Sequence, residues 1–138
     1  WEMFKHLVDG DGESADKTKE FYDEYRAVCD MTAEFYLQTV DAVFQRHLLP
    51  KREFEHRGKI VDLGKIDDIA LLAIEGERDD ISGIGQTKAA LTLATELPTA
   101  KKKYLMAKGV GHYGIFNGRK WREEIAPVVE KWIRANGG

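Results

Sequence analysis

The sequence predicts the α/β class: a short parallel strand pair with a crossover helix and a C-terminal helix, preceded by a long helical segment. Two observations carry this. The run Ile69-Ala70-Leu71-Leu72-Ala73-Ile74 contains no polar residue and is bounded by Asp68 and by Glu75-Gly76, the pattern of a strand buried on both faces. The segments from there onward alternate as strand, helix, strand, helix, which implies a parallel pair joined by a right-handed crossover.

The elements follow in chain order. Asp9-Gly10-Asp11-Gly12-Glu13-Ser14 is acidic and glycine-rich. Clustered carboxylates suit a hard cation, but the third Asp, the following Gly and the closing Glu of an EF-hand register are missing, so the stretch reads as a solvated loop. From Ser14 to about Leu49, Phe21, Tyr25, Val28, Thr32, Phe35, Thr39 and Val43 recur every three or four residues, and Phe44 and Leu48 extend that face. This is helical spacing. Ser14 or Asp16 is expected to cap the start, and Pro50 to end it. The wide aromatic face is expected to pack against a neighbour; a lid beside an apolar substrate is the sharper alternative.

Residues 50–68 are polar and charged, broken by Gly58 and Gly64, with short extended pieces around Lys59–Val61. After the apolar strand and its loop, a helix is expected from Ile84 to Leu97, with Ala90, Leu93 and Leu97 on one face, Ser82 as its cap and Pro98 as its stop. Lys103–Ala107 is the second strand. The last helix runs from about Gly118 to Asn136, capped by Asn117, with Trp121, Ile125, Val128, Val129 and Trp132 as its apolar face. Pro127 is expected to kink it or thin one turn. The chain thus divides into a helical, lid-like segment, 1–58, and an α/β portion, 59–138.

Two parallel strands do not make a stable sheet. The missing strands are therefore expected from an upstream half of the same protein, or from a second copy in a homo-oligomer. A chain that opens on Trp1, with no initiator methionine and no basic-then-apolar leader, reads the same way, as cut from something longer. Of its 138 residues, 43% are hydrophobic and 33% charged, enough for a modest core. The net charge of −3 argues against binding duplex nucleic acid, which draws its affinity from basic side chains on phosphates. No apolar run is long enough to span a bilayer. The single cysteine, Cys29, excludes an internal disulfide and fits a reducing compartment.

The chemistry is expected on the loops at the C-terminal ends of the strands, where α/β folds place their sites. Gly76-Glu77-Arg78-Asp79-Asp80-Ile81-Ser82-Gly83 follows the first strand, and Gly109-Val110-Gly111-His112-Tyr113-Gly114 follows the second. Asp79 and His112 lie 33 residues apart, room for loop, crossover helix, strand and return. A carboxylate beside an imidazole fixes the ring tautomer and stabilises the imidazolium formed when it takes a proton. Taken singly, Asp79 is a common turn residue and His112 a common surface residue; the pairing is what points to catalysis. The order acid then histidine, with one helix remaining, is that of an α/β-hydrolase, whose nucleophile comes first. No Gly-x-Ser-x-Gly elbow exists here. Cys29 falls mid-helix without glycines and reads as packing. His47 and His56 flank a charged stretch and read as exposed. No Cys/His spacing suggests zinc, and Ser82-Gly83-Ile84-Gly85-Gln86-Thr87-Lys88 lacks the Gly-Lys-Ser/Thr order of a phosphate loop. No cofactor is implied.

The stretch Leu72-Ala73-Ile74-Glu75-Gly76-Glu77-Arg78-Asp79-Asp80-Ile81-Ser82-Gly83 resembles the acid loop of intracellular polyhydroxyalkanoate (polyhydroxybutyrate) depolymerases. Gly109-Val110-Gly111-His112-Tyr113-Gly114-Ile115-Phe116-Asn117-Gly118 resembles their histidine loop. Phe21-Tyr22-Asp23-Glu24-Tyr25 and Ala33 to Asp41 resemble the helical region before their last strands. The resemblance implies hydrolysis of hydroxyalkanoate esters on cytoplasmic storage granules, by a triad with serine or cysteine as nucleophile. It implies Asp79 as the acid, with Asp80 as runner-up, and His112 as the histidine. Polymer or oligomer would be the substrate, with the nucleophile on the upstream half. A non-catalytic granule- or partner-binding module that keeps the half-fold is the alternative.

Overall fold

The computed structural model describes residues 29–137, together with residues 16, 19, 20, 22–24, 26 and 27. The acidic loop at 9–14, the Ser14 cap and the face positions Phe21, Tyr25 and Val28 lie outside the described residues. The chain forms two compact units, residues 1–40 and 41–138.

In the first unit the expected single helix from Ser14 to Leu49 is interrupted. Asp16, Lys19, Glu20, Tyr22 to Glu24 and Arg26 are helical, but Ala27 and Cys29 to Thr32 are not. Thr32 is extended (φ −68°, ψ 146°), and its hydroxyl accepts the Phe35 N–H at 3.3 Å. It therefore caps a new helix, α1 (Ala33–Thr39). A threonine that satisfies a first-turn donor this way competes with helix continuation, so periodicity alone misses the break. Cys29 is exposed and outside any helix, so its expected packing role is not realised. Phe35, Tyr36 and Leu37 are exposed as well.

The helical path widens into a π-helical stretch, Val40–Gln45, and stops at His47, whose left-handed φ of 54° precedes α2 (Leu48–Lys51). Pro50 does not end the helix, as its position suggested. It lies within the single turn of α2, where its missing N–H is no loss. Strands β1 (Glu55–His56) and β2 (Lys59–Ile60) pair antiparallel. Between them Arg57 and Gly58 have φ of 51° and 73°, the two positive values a tight hairpin demands. His47 and His56 are exposed. A 3₁₀ turn at Leu63–Lys65 follows, where Arg52 donates to the Thr95 hydroxyl at 2.9 Å and pairs with Asp62 at 3.4 Å.

Strands β3 (Leu71–Gly76) and β4 (Lys102–Ala107) form the parallel pair, in register from Leu71 opposite Lys102 to Gly76 opposite Ala107. The described residues add no third strand to them. Accordingly Leu71, Leu72 and Ile74 are only half-buried, while Ala73, Glu75 and Gly76 are fully covered. The helix expected over 84–97 is reduced to α3 (Ala89–Leu93). Gly85, at φ 98°, cannot continue a helix, and the N–H groups of Gly85 and Lys88 are taken by a side chain of β3. Ser82 is not its cap; α3 starts after Lys88 with no side-chain cap.

The C-terminal helix runs continuously, as an α-helical turn (Gly118–Lys120), a π-helical stretch (Trp121–Ile125) and α4 (Ala126–Asn136). Pro127 is the second residue of α4. A proline clashes with the carbonyl four residues back; the widened π turn before it takes up that misfit. Ala107, Val110, Ile115 and Ile125 form the core, packed by Ile74, Leu105, Trp121 and Val129. Ile125, at 1% exposure, is its most covered member. Among the described residues no helix is long and apolar enough to cross a membrane.

Candidate active site

The site is built where β3 and β4 end side by side. Past Gly76 the two following loops are stitched together: the Glu77 N–H donates to the Ala107 carbonyl at 3.0 Å and the Arg78 N–H to the Val110 carbonyl at 2.9 Å. The Glu77 carboxylate accepts the Gly109 N–H at 2.7 Å. Gly76 permits this closeness, because a Cβ there would lie 2.6 Å from the Val110 carbonyl oxygen. Gly109, at φ 64°, turns the chain out of β4. Val110 and Ile115 then anchor the histidine loop in the core and leave His112 between them, partly open to solvent.

Asp79 and His112 meet across the two loops. His112 Nδ1 lies 2.9 Å from Asp79 Oδ2 and 3.1 Å from Oδ1. The Asp79 side chain is 3% exposed and the His112 side chain 33%. Asp79 Oδ1 also accepts the N–H groups of Ser82 at 2.8 Å and Ile81 at 2.9 Å. The Ser82 N–H, with help from His112 and the Ile81 N–H, holds the Asp79 carboxyl below its ordinary range, against the opposing effect of burial. Asp79 is thus an ionised acceptor, which makes Nδ1 the donor; in the neutral imidazole the lone pair is then on Nε2. Among the described residues Nε2 has no hydrogen-bond partner. The Tyr113 ring stands edge-on to the imidazole, at 5.5 Å and 87°. Asp80 is exposed, and of the two adjacent acids Asp79 is the one in contact with His112.

The family described as "PHB de-polymerase C-terminus" matches residues 1–137. The chain belongs to that family. No curated protein matches it, and no solved structure does.

This depolymerase C-terminal region also holds a buried acid that sequence reasoning assigned no role. Glu75, the last residue before Gly76 on β3, is 2% exposed. Its carboxylate accepts the Gly85 N–H at 2.8 Å, the Lys88 N–H at 2.8 Å and the Tyr104 hydroxyl at 2.7 Å. Burial alone would raise its pKa, but these donors together hold it lowered. Burial and the neighbouring carboxylate push Tyr104 up to about 12. The Lys88 ammonium sits 4.9 Å from the centre of the Tyr104 ring. The available signal was an acid attached directly to an apolar strand, where an unpartnered charge is costly. Among the described residues no group of three His, Cys, Asp or Glu side chains could hold a metal.

Proposed function

We propose that this depolymerase C-terminal region supplies the acid and the base of an ester-hydrolase triad, Asp79 and His112, to a serine or cysteine on a strand-to-helix elbow upstream of the chain. The observation that supports this reading is the 2.9 Å contact between His112 Nδ1 and a covered Asp79, with no hydrogen-bond partner on Nε2 among the described residues. In the proposed reaction Nε2 takes the proton of the nucleophile's hydroxyl or thiol as that atom attacks the ester carbonyl. The tetrahedral adduct collapses and expels the alkoxide, which leaves as the alcohol with the proton from His112. Water then gives a proton to Nε2 while its oxygen attacks the acyl-enzyme. Collapse releases the acid and returns the proton to the nucleophile. Asp79 remains an anion throughout and stabilises the imidazolium.

In this reading the parent has an α/β-hydrolase fold, with β3 and β4 as its last strands, and residues 1–58 form a lid. Exposed Phe35, Tyr36, Leu37 and Phe44 suit an apolar hydroxyalkanoate polymer or oligomer, on granules in the cytoplasm. The test is ester hydrolysis by the complete protein. Asp79→Asn is expected to lower kcat by about 10⁴-fold, His112→Ala by at least as much, and Asp80→Asn hardly at all. Unchanged turnover in Asp79→Asn and His112→Ala would exclude the triad. The same exposed apolar side chains favour a second reading, polymer binding without turnover. A complete protein that binds polyester and does not cleave it selects that one.

A further inference from the structure

Glu75 lies four residues before Asp79, and its hydrogen-bond partners Gly85 and Lys88 follow closely on Ile81 and Ser82, which hold Asp79. Three donors converge on its carboxylate from two directions. Tyr104, two residues back along β4 from the position opposite Glu75, holds one side. Gly85 and Lys88 hold the other, one N–H to each oxygen. These two N–H groups belong to the irregular segment that leads into α3, where no helical carbonyl is available to them. Glu75 therefore ties the segment 83–88 to the end of β3. The same segment continues directly from Ile81 and Ser82, whose N–H groups bind Asp79 Oδ1. Asp79 thus holds the start of one continuous segment, 81–88, and Glu75 holds its end.

We propose that Glu75 is a positioning residue for the Asp79–His112 pair, fixing the loop whose N–H groups aim the Asp79 carboxylate at Nδ1. This rests on the triad reading above. A carboxylate is the group the position requires, because both oxygens must accept. In Glu75→Gln the amide nitrogen faces one of the two backbone N–H donors, donor against donor, and one end of the segment is released. Asp79 then keeps its charge and loses its aim.

The test is a double-mutant cycle in the complete protein, with turnover of a soluble hydroxyalkanoate oligomer expressed per folded molecule. Glu75→Gln is expected to lower kcat by about 10- to 100-fold, the size of effect a misplacement of ~1 Å produces, with KM unchanged. In the Asp79→Asn background it should cost less than about twofold, since nothing is left to aim. Nitrogen-15 spectra of the His112 ring should show a single Nδ1–H tautomer in the native protein and a mixture in Glu75→Gln. A merely structural acid would lower the folded fraction and leave both kcat per folded molecule and the tautomer untouched. An unchanged kcat, or an equal loss in both backgrounds, overturns the inference. If Asp79→Asn is itself silent, the triad reading fails, and the ring spectra alone decide whether Glu75 orients the pair. Should Glu75→Gln not fold, Tyr104→Phe goes through the same cycle, with an expected loss of a few fold in the native background and none in Asp79→Asn; no loss in the native background overturns the inference.

Discussion

Gly76→Ala adds one methyl group where the two strand-end loops touch. Its carbon would lie 2.6 Å from the Val110 carbonyl oxygen, 3.3 Å from the carbonyl carbon and 3.4 Å from the Gly111 oxygen. These three nearest atoms are all backbone, so no rotamer change relieves the clash. Ordinary contact begins near 3.4 Å, and the loops must part by roughly 0.8 Å. The Arg78 N–H to Val110 bond, now 2.9 Å, lies directly in the path of that shift. His112 is two residues further along the same loop. If the whole displacement fell on its 2.9 Å contact with Asp79, the gap would open to about 3.7 Å, beyond hydrogen-bonding reach. We expect a stability loss of about 1–3 kcal/mol in urea unfolding of the complete protein, and a loss of ester turnover near 10²-fold in the folded enzyme. Gly58→Ala is the control. It also removes a glycine, at φ 73° with nothing near its added carbon, so it should cost roughly 1–2 kcal/mol of backbone strain and leave the Nδ1–H signature of the His112 ring intact. A folded Gly76→Ala protein with native turnover and native stability would refute the claim that close approach at this glycine sets the dyad.

Two further outcomes follow from the core and the buried acid. Ile125→Ala empties the most covered side chain of the core and should cost about 2–5 kcal/mol in urea unfolding, whereas Ile133→Ala, at an exposed position on the same helix, should lie within about 0.5 kcal/mol of native. Tyr104 has a folded pKa of about 12, above the ordinary value of about 10. The folded state therefore retains a proton that the unfolded state releases. Its contribution is complete below pH ~10 and is lost as pH rises toward about 12. Tyr104→Phe should flatten the alkaline fall in stability across that window; an identical fall in the variant would place the titrating group elsewhere.

What the sequence made legible is local. The apolar run at 69–74 announced β3, and the glycines at 76, 109 and 111 announced loops that carry Asp79 and His112. The contact between those two residues was legible because order along the chain and parallel topology together bring the loops to one sheet end. The Glu75 network was not, because its partners lie 10, 13 and 29 residues away and two of them are backbone N–H groups that no residue type reveals. Periodicity also overran at both helices. It carried the first helix through Thr32, whose hydroxyl diverts a first-turn N–H, and carried α3 back through Gly85, whose φ forbids it. In each case a side chain offered the backbone a better partner than the helix did, and apolar spacing does not register such competition.

The three cross-loop bonds, Glu77 N–H to Ala107, Arg78 N–H to Val110 and Gly109 N–H to the Glu77 carboxylate, all lie within the α/β unit. So do the two N–H groups on Asp79 and the three donors on Glu75. The orientation of His112 is therefore set by hydrogen bonds internal to residues 75–112, and none of them involves a nucleophile. Ordering a side chain of this kind costs about 0.5–2 kcal/mol when it is done at the moment of reaction. Here that cost is met on folding, by a carboxylate that gains its N–H partners whether or not substrate is present. In the proposed triad the nucleophile would have only to reach Nε2, since Nδ1 is already committed. The edge of the ring left for the proposed proton transfer is thus defined by exclusion: Nδ1 is held by both oxygens of one carboxylate, at 2.9 and 3.1 Å, and a ring flip would give up both contacts at once.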